Sequence, residues 1–184
     1  MAKLKLGIIV GSNRRDSINR KLALALAKLG ADAFDAKLIQ IDDLPLYNQD
    51  HENPVPAPVA RYKSEVEGSD ALLFVTPEHS RSIPALLKNA IDWGARPWGK
   101  TSWPGKPAAV IGTSGGVIST ALAQGHLRFV LGTQGVHVVG GEAYIHFKPD
   151  LINADNDVTD DSVTGFLKTY ITNFAAFAAK LAAK

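Results

Sequence analysis

The chain has 184 residues, 46% of them hydrophobic and 21% charged, with a formal net charge of +2 and no cysteine. That length fits one domain with a substantial apolar core, and the missing cysteines exclude disulfides, thiolate nucleophiles and Cys-ligated metal or clusters. The small net charge gives nucleic-acid binding no support, and the absence of a signal-like leader or a membrane-length apolar run makes a cytoplasmic protein the expectation.

In chain order, residues 3–10 (KLKLGIIV) read as a buried strand. Residues 17–29 follow with Ile18, Leu22, Leu26 and Leu29 at helical spacing. Residues 35–42 read as a second strand, and residues 44–59 as a proline-rich loop running into a helix from Val59 to Glu67. A third strand is expected at 70–76 and a helix at 82–94, with Ser82 as N-cap, Pro84 in the first turn and Gly94 as the stop. A fourth strand at 106–113, a helix from Ile118 to Gly132 and a short strand from Val136 to Val139 come next. After a polar loop at 146–160 the chain ends in a helix from Asp160 to Ala183, with Phe166, Tyr170, Phe174, Phe177 and Leu181 on one face.

Strands alternating with helices imply an α/β fold with a parallel sheet and helices on both faces. Five strands in one domain of this size predict the doubly wound order 2-1-3-4-5, whose ligands sit outside the carboxyl ends of the strands. The loops after strands one, three and four, GSNRRDS (11–17), PEHSRS (77–82) and TSGGVIS (113–119), should then meet at one end of the sheet. These loops concentrate the glycine, hydroxyl and cationic groups of the chain.

The first loop suits a phosphate. A helix amino end offers free N–H groups and a dipole contributing about 0.3–1 kcal/mol per charge. Ser12, Ser17 and Asn19 add neutral donors, and a guanidinium from Arg14 or Arg15 adds charge-assisted bonds of about 1.5–3 kcal/mol each. The plainer alternative is that Asp16 or Ser17 only caps the helix; Arg15, Asp16 and Arg20 individually read as solvent-facing. Neither G-x-x-x-x-G-K-[ST] nor G-x-G-x-x-G occurs, which sets aside the P-loop and the dinucleotide fingerprint. Thr76 and Pro77 stand where a receiver domain would carry its aspartate. In the third loop, Gly115 and Gly116 let backbone N–H groups approach a flat ring, and the helix start beyond it suits the negative charge of a reduced flavin. A plain strand-to-helix turn is the alternative. Together the loops frame a phosphate and a planar heterocycle, which fits FMN.

The motifs GSNRRDSINRKLA, TPEHSRSIPALLKNAIDW and GKPAAVIGTSGG followed by QGHLR, spread in this order over nearly the whole chain, resemble the NADPH-dependent FMN reductase family, and within it the chromate and quinone reductase branch. The resemblance implies a flavodoxin-like fold, bound FMN, NADPH or NADH as donor, and two-electron reduction of quinones, chromate or azo compounds. It also implies a homodimer or homotetramer. By position, Ser12, Arg14, Ser17 and Asn19 match the phosphate-binding residues. Pro77, Glu78, His79, Ser80 and Ser82 match the loop along the ring and ribityl chain, and Ser114, Gly115 and Gly116 the loop at the pyrimidine end. The family commonly has Pro-Glu-Tyr-Asn where this chain has Pro-Glu-His-Ser, a change bearing on flavin packing.

The chemistry expected is ping-pong hydride transfer through flavin N5, with no side chain as nucleophile or essential acid and no metal site. Arg81, Arg96 and Lys100 are candidates for positive charge around the rim, for the NADPH phosphate or an anionic acceptor. Trp93, Trp98 and Trp103 are expected at that rim or, preferably, at a subunit contact, and His126 as a packed or interfacial residue. The alternatives are a flavodoxin-like electron carrier, which would normally be acidic and shield its ring with aromatics, and a non-catalytic binding module.

Overall fold

The computed structural model describes residues 2–182. In chain order these form β1 (Leu4–Val10), α1 (Ile18–Leu29), β2 (Phe34–Leu38), α2 (Ala57–Glu67), β3 (Ala71–Val75), α3 (Ala85–Gly94), β4 (Pro107–Ser114), α4 (Ala121–Thr133), β5 (His137–Val138), β6 (Tyr144–His146) and α5 (Asp161–Ala182). The sheet is parallel with order β2-β1-β3-β4-β5, the doubly wound order that the alternation of elements implies. Its fifth position is divided. β5 pairs with the start of β4 at Pro107 and Ala108, and β6 pairs with its end at Gly112, Thr113 and Ser114. The sequence reading has one strand at 136–139 and no β6. Only Ile145 of the three β6 residues is buried, so no apolar alternation announces it.

Successive strand residues point to opposite faces, and two cores result. Leu6, Ile8, Leu73, Val75, Ala109 and Ile111 meet α1 and α5 on one face. Ile9, Leu72, Phe74, Ala108 and Val110 meet α2, α3 and α4 on the other. Because helices cover both faces, the central strands read as continuous apolar runs; all five residues of β3 are buried. No helix among the described residues is long and apolar enough to cross a membrane.

Several boundaries differ from expectation. The second strand ends at Leu38 instead of Asp42: Ile39 keeps one bond to Ile8 and then, with Ile41, turns into the core beneath α2 and α3. The helix expected from Ser82 begins at Ala85 with Pro84 as its cap, because Ser82 belongs to a tight turn, and Ala95 rather than Gly94 caps its end. α4 begins at Ala121, three residues late, since the preceding residues form the turn after β4. The apolar face of α5 is rotated by about one position from the expected one: Leu167, Ile171, Phe174 and Ala178 are buried, while Phe166 is exposed. Ala183 of the expected helix lies outside the described residues. Trp93 and Trp103 are fully buried core residues, and only Trp98 reaches solvent.

Gly112, in β4, is where the sheet tolerates no side chain. A Cβ there would lie 2.1 Å from the Thr76 carbonyl oxygen and 2.3 Å from the Thr120 hydroxyl. Gly112→Ala is expected to cost about 3 kcal/mol by overpacking against backbone, lowering Tm by roughly 6–12 °C in thermal unfolding. Gly115→Ala, three residues on with open space around it, should leave Tm nearly unchanged.

Candidate functional site

The three loops do meet at the carboxyl ends of β1, β3 and β4. The first is tied to the second through Gly11, whose N–H donates to the Val75 carbonyl at 2.9 Å. A Cβ on Gly11 would sit 3.2 Å from Leu87 and 3.3 Å from Pro77, so glycine permits the close approach. Ser17 caps α1, its hydroxyl accepting from the Arg20 N–H at 3.2 Å. Asn19 is buried and clamps the loop to β4: its amide donates to the Thr113 carbonyl and accepts from the Thr113 N–H, both at 3.0 Å. That amide positions the loop, and its second N–H hydrogen, like the residue's backbone N–H, has no protein acceptor among the described residues.

Between these clamps lies the main chemical feature. None of the backbone N–H groups from Ser12 to Asn19 has a protein acceptor among the described residues. Ser12 is half-buried and Arg14 exposed beside them. Both line a cleft of about 470 Å³ between this loop and residues 38–42. Eight unpaired N–H groups next to guanidinium groups at a helix amino end describe an anion site.

The second loop is a tight turn. His79 and Ser82 exchange backbone hydrogen bonds of 3.0 and 2.9 Å, with Ser80 and Arg81 between them at φ of 49° and 64°. Left-handed backbone at two consecutive non-glycine residues stores about 1–3 kcal/mol per residue, so tertiary contacts must hold it. Glu78 supplies the main one. One carboxylate oxygen accepts from the N–H groups of Leu122 and Ala123 at 3.0 and 3.1 Å, and the other pairs with Arg81 at 3.1 Å. Ser82 adds a 3.0 Å contact from its hydroxyl to His126 Nδ1; His126 and His79 are otherwise exposed. Because Glu78 occupies the first turn of α4, those donors do not serve a ligand, contrary to the sequence expectation for that helix start.

The third loop is held from below by β6. Thr113 and Ser119 both donate side-chain hydrogen bonds to the Ile145 carbonyl at 2.7 Å, and Phe147 N–H donates to the Ser114 carbonyl at 2.8 Å. The Ser114 hydroxyl donates to the Ser119 carbonyl at 3.1 Å and accepts from Gly116 N–H at 3.2 Å. Gly115 and Gly116 are exposed with open space about them. A second cleft, about 390 Å³, opens between Ser80, Arg81, Glu78 and this loop, with Ser114, Gly116 and Val117 on its far wall.

Arg96 and Lys100 are elsewhere. They follow the end of α3, whose ten residues run about 15 Å away from the second loop. Arg96 donates to Glu52 at 2.7 Å and to the Tyr47 hydroxyl at 2.8 Å. The Tyr47 hydrogen bond first, and the guanidinium second, hold the Glu52 carboxyl below its usual range. Lys100 lines a separate depression of about 620 Å³ with Lys63, Glu52 and Glu67. There the Lys63 ammonium is held by the carbonyls of Gly94 and Lys100 and the Ser102 hydroxyl, and burial lowers its pKa. That depression is larger than either loop cleft, but Lys63 is already held by carbonyls, and the carboxylates of Glu52 and Glu67 line it beside Lys100. Glu78, Asn19 and β6 hold the site together, and sequence reading assigned none of them that role.

The profile of the NADPH-dependent FMN reductase family matches residues 4–150. A 2-hydroxy-1,4-benzoquinone reductase of Burkholderia is 42% identical, covering 95% of this chain and 96% of that one. A quinone reductase of Pseudomonas putida is 41% identical, covering 94% and 93%. The flavoenzyme NAD(P)H:(acceptor) oxidoreductase of Paracoccus denitrificans superposes with a TM-score of 0.93 at 44% identity, covering 96% of this chain and 98% of that chain.

Asn19→Ala removes both buried bonds to Thr113 and leaves its N–H and carbonyl unpaired. The expected loss is about 2–3 kcal/mol of stability, read as a lower urea midpoint with unchanged slope.

Proposed function

The chain belongs to the NADPH-dependent FMN reductase family, and from that premise we propose that it holds FMN at the three loops and works as an NAD(P)H:quinone oxidoreductase. One observation carries the residue-level reading: the N–H groups from Ser12 to Asn19 have no protein acceptor among the described residues, at the amino end of α1 beside a cleft lined by Ser12 and Arg14. The residues fit the cofactor. Ser12, Arg14 and the Ser17 hydroxyl hydrogen, with the loop N–H groups, hold the phosphate. Pro77, Glu78, His79, Ser80 and Ser82 border the ring and ribityl chain, with Glu78 and Ser82 acting as braces for the turn. Ser114, Gly115 and Gly116 present the pyrimidine end with backbone donors; the N–H groups of Gly115, Val117 and Ile118 are free for it among the described residues.

Held by these loops, FMN would supply two-electron chemistry through N5, linking NAD(P)H oxidation and acceptor reduction as two half-reactions. The balance is NAD(P)H, a proton and a quinone giving NAD(P)⁺ and a hydroquinone. The chain positions these reactants and needs no nucleophile. The third loop offers open glycine backbone instead of a shaped acceptor pocket, which supports wide acceptor tolerance, chromate and azo compounds included. Val117 and Ile118 are exposed on the second cleft, and Leu122 and Phe129 are exposed on the following helix α4, which leaves apolar surface on this side of the chain. It supports assembly as a homodimer or homotetramer, an extension that a purely monomeric sedimentation profile at micromolar concentration would remove. The reading covers the whole chain as a single cytoplasmic domain.

Purified protein should carry FMN and oxidise NAD(P)H with a quinone, giving parallel double-reciprocal plots. Arg14→Ala combined with Ser17→Ala should weaken FMN binding about tenfold to hundredfold, the equivalent of one charge-assisted bond. Unchanged FMN affinity in a folded double variant would reject the phosphate assignment.

A further inference from the structure

The seven arginines of the chain divide into two groups. Four are engaged: Arg61 by Asp43 and Glu65, Arg81 by Glu78, Arg96 by Glu52, and Arg128 by the carbonyls of Val139 and Gly141. The other three, Arg14, Arg15 and Arg20, have no side-chain hydrogen bond or ion pair among the described residues, and all three line the same cleft of about 470 Å³. One carboxylate, Asp42, lines that cleft with them.

Three unpaired guanidinium groups gathered on one wall of a cleft repel one another, and an anion bound between them offsets this. The flavin phosphate accounts for Arg14 and the loop N–H groups. It leaves Arg15 and Arg20 in surplus, in a volume within the range of small-molecule pockets and far larger than one phosphate needs. The opposite wall is residues 38–42, the segment leaving β2. A carboxylate suits a free ribose 2′-hydroxyl, whereas a guanidinium suits a 2′-phosphate. Here two spare guanidinium groups outweigh the single Asp42 carboxylate.

We propose that the cleft between the first loop and residues 38–42 binds the adenosine 2′-phosphate of the nicotinamide donor, with Arg15 and Arg20 as its fork, so that the chain selects NADPH over NADH. The inference rests on the function proposed above. It moves the donor-phosphate contact away from Arg96, which Glu52 already pairs, and from Lys100, which lies in the depression lined by Glu52 and Glu67. A bidentate guanidinium hydrogen-bonds a phosphate more specifically than an ammonium does, so lysine at these positions should substitute only partly. A pyrophosphate is common to both donors and provides the competing explanation.

The test uses the flavin-loaded protein and two variants, Arg15→Ala/Arg20→Ala and Arg15→Lys/Arg20→Lys. Steady-state kinetics with NADPH and with NADH are paired with calorimetric binding of adenosine 2′,5′-bisphosphate and of 5′-ADP. In the alanine variant FMN content should be unchanged and the KM for NADPH should rise at least tenfold, with kcat and the NADH parameters little altered. Binding of the 2′,5′-bisphosphate should weaken in parallel, 5′-ADP should not, and the lysine variant should recover part of the loss. Equal losses for NADPH and NADH would mean a pyrophosphate contact and overturn the proposal. No change with either donor, or loss of FMN alone, would overturn it as well. A wild-type protein that took up no FMN would instead sink the proposed function, while the two nucleotide probes would still read this cleft independently.

Discussion

Eight consecutive backbone N–H groups, from Ser12 to Asn19, leave β1 and enter α1 with no acceptor in the protein among the described residues. A buried donor left unpaired costs about 1–3 kcal/mol, so a fold tolerates such a run only where water or an anion can reach it. That condition fixes the site at the open carboxyl edge of the sheet and at the positive end of a helix dipole. It also explains why the neighbouring guanidinium groups remain unpaired: a carboxylate from elsewhere in the chain would occupy the place of the ligand.

A binding edge made of three loops requires that they be held in register, and the chain does this with buried polar groups. Asn19 ties the first loop to β4 across 94 residues of sequence. Glu78 ties the second to α4, and the Ile145 carbonyl, receiving bonds from Thr113 and Ser119, ties the third to β6. Buried networks of this kind rigidify when every member is satisfied. Among the side-chain polar atoms of the described residues, Tyr62 Oη and Gln124 Oε1 alone are buried without a partner, and Tyr62 lies deep in the opposite core, against Trp103. The result is a stiff frame around an exposed glycine loop, which supports the proposed placement of a redox ring there.

Much of this architecture was legible in the sequence, because period and composition report burial directly. The apolar runs at 3–10, 70–76 and 106–113 located the central strands within a residue or so, and the alternation with helices gave the sheet order. What escaped was decided by tertiary contact. β6 has one buried residue and exists because the end of β4 needs a partner. Ser82 resembles an N-cap, yet it is drawn into a turn whose geometry Glu78 enforces from outside. The α5 face differs because Leu167 and Ile171 pack into the core with the sheet while Phe166 stays exposed. At the site, the residue types were readable but their duties were not. Asn19 and Glu78 face the protein, while Arg15 and Arg20, read as solvent-facing, line the cleft.

Amide hydrogen exchange, measured residue by residue with and without added FMN, tests the central claim most directly. The account predicts that exchange slows at the N–H groups of residues 12–19, and to a lesser degree at Gly115, Val117 and Ile118, with the rest of the sheet unchanged. Bound FMN that left residues 12–19 exchanging freely, or that instead protected the depression around Lys63 and Lys100, would contradict it.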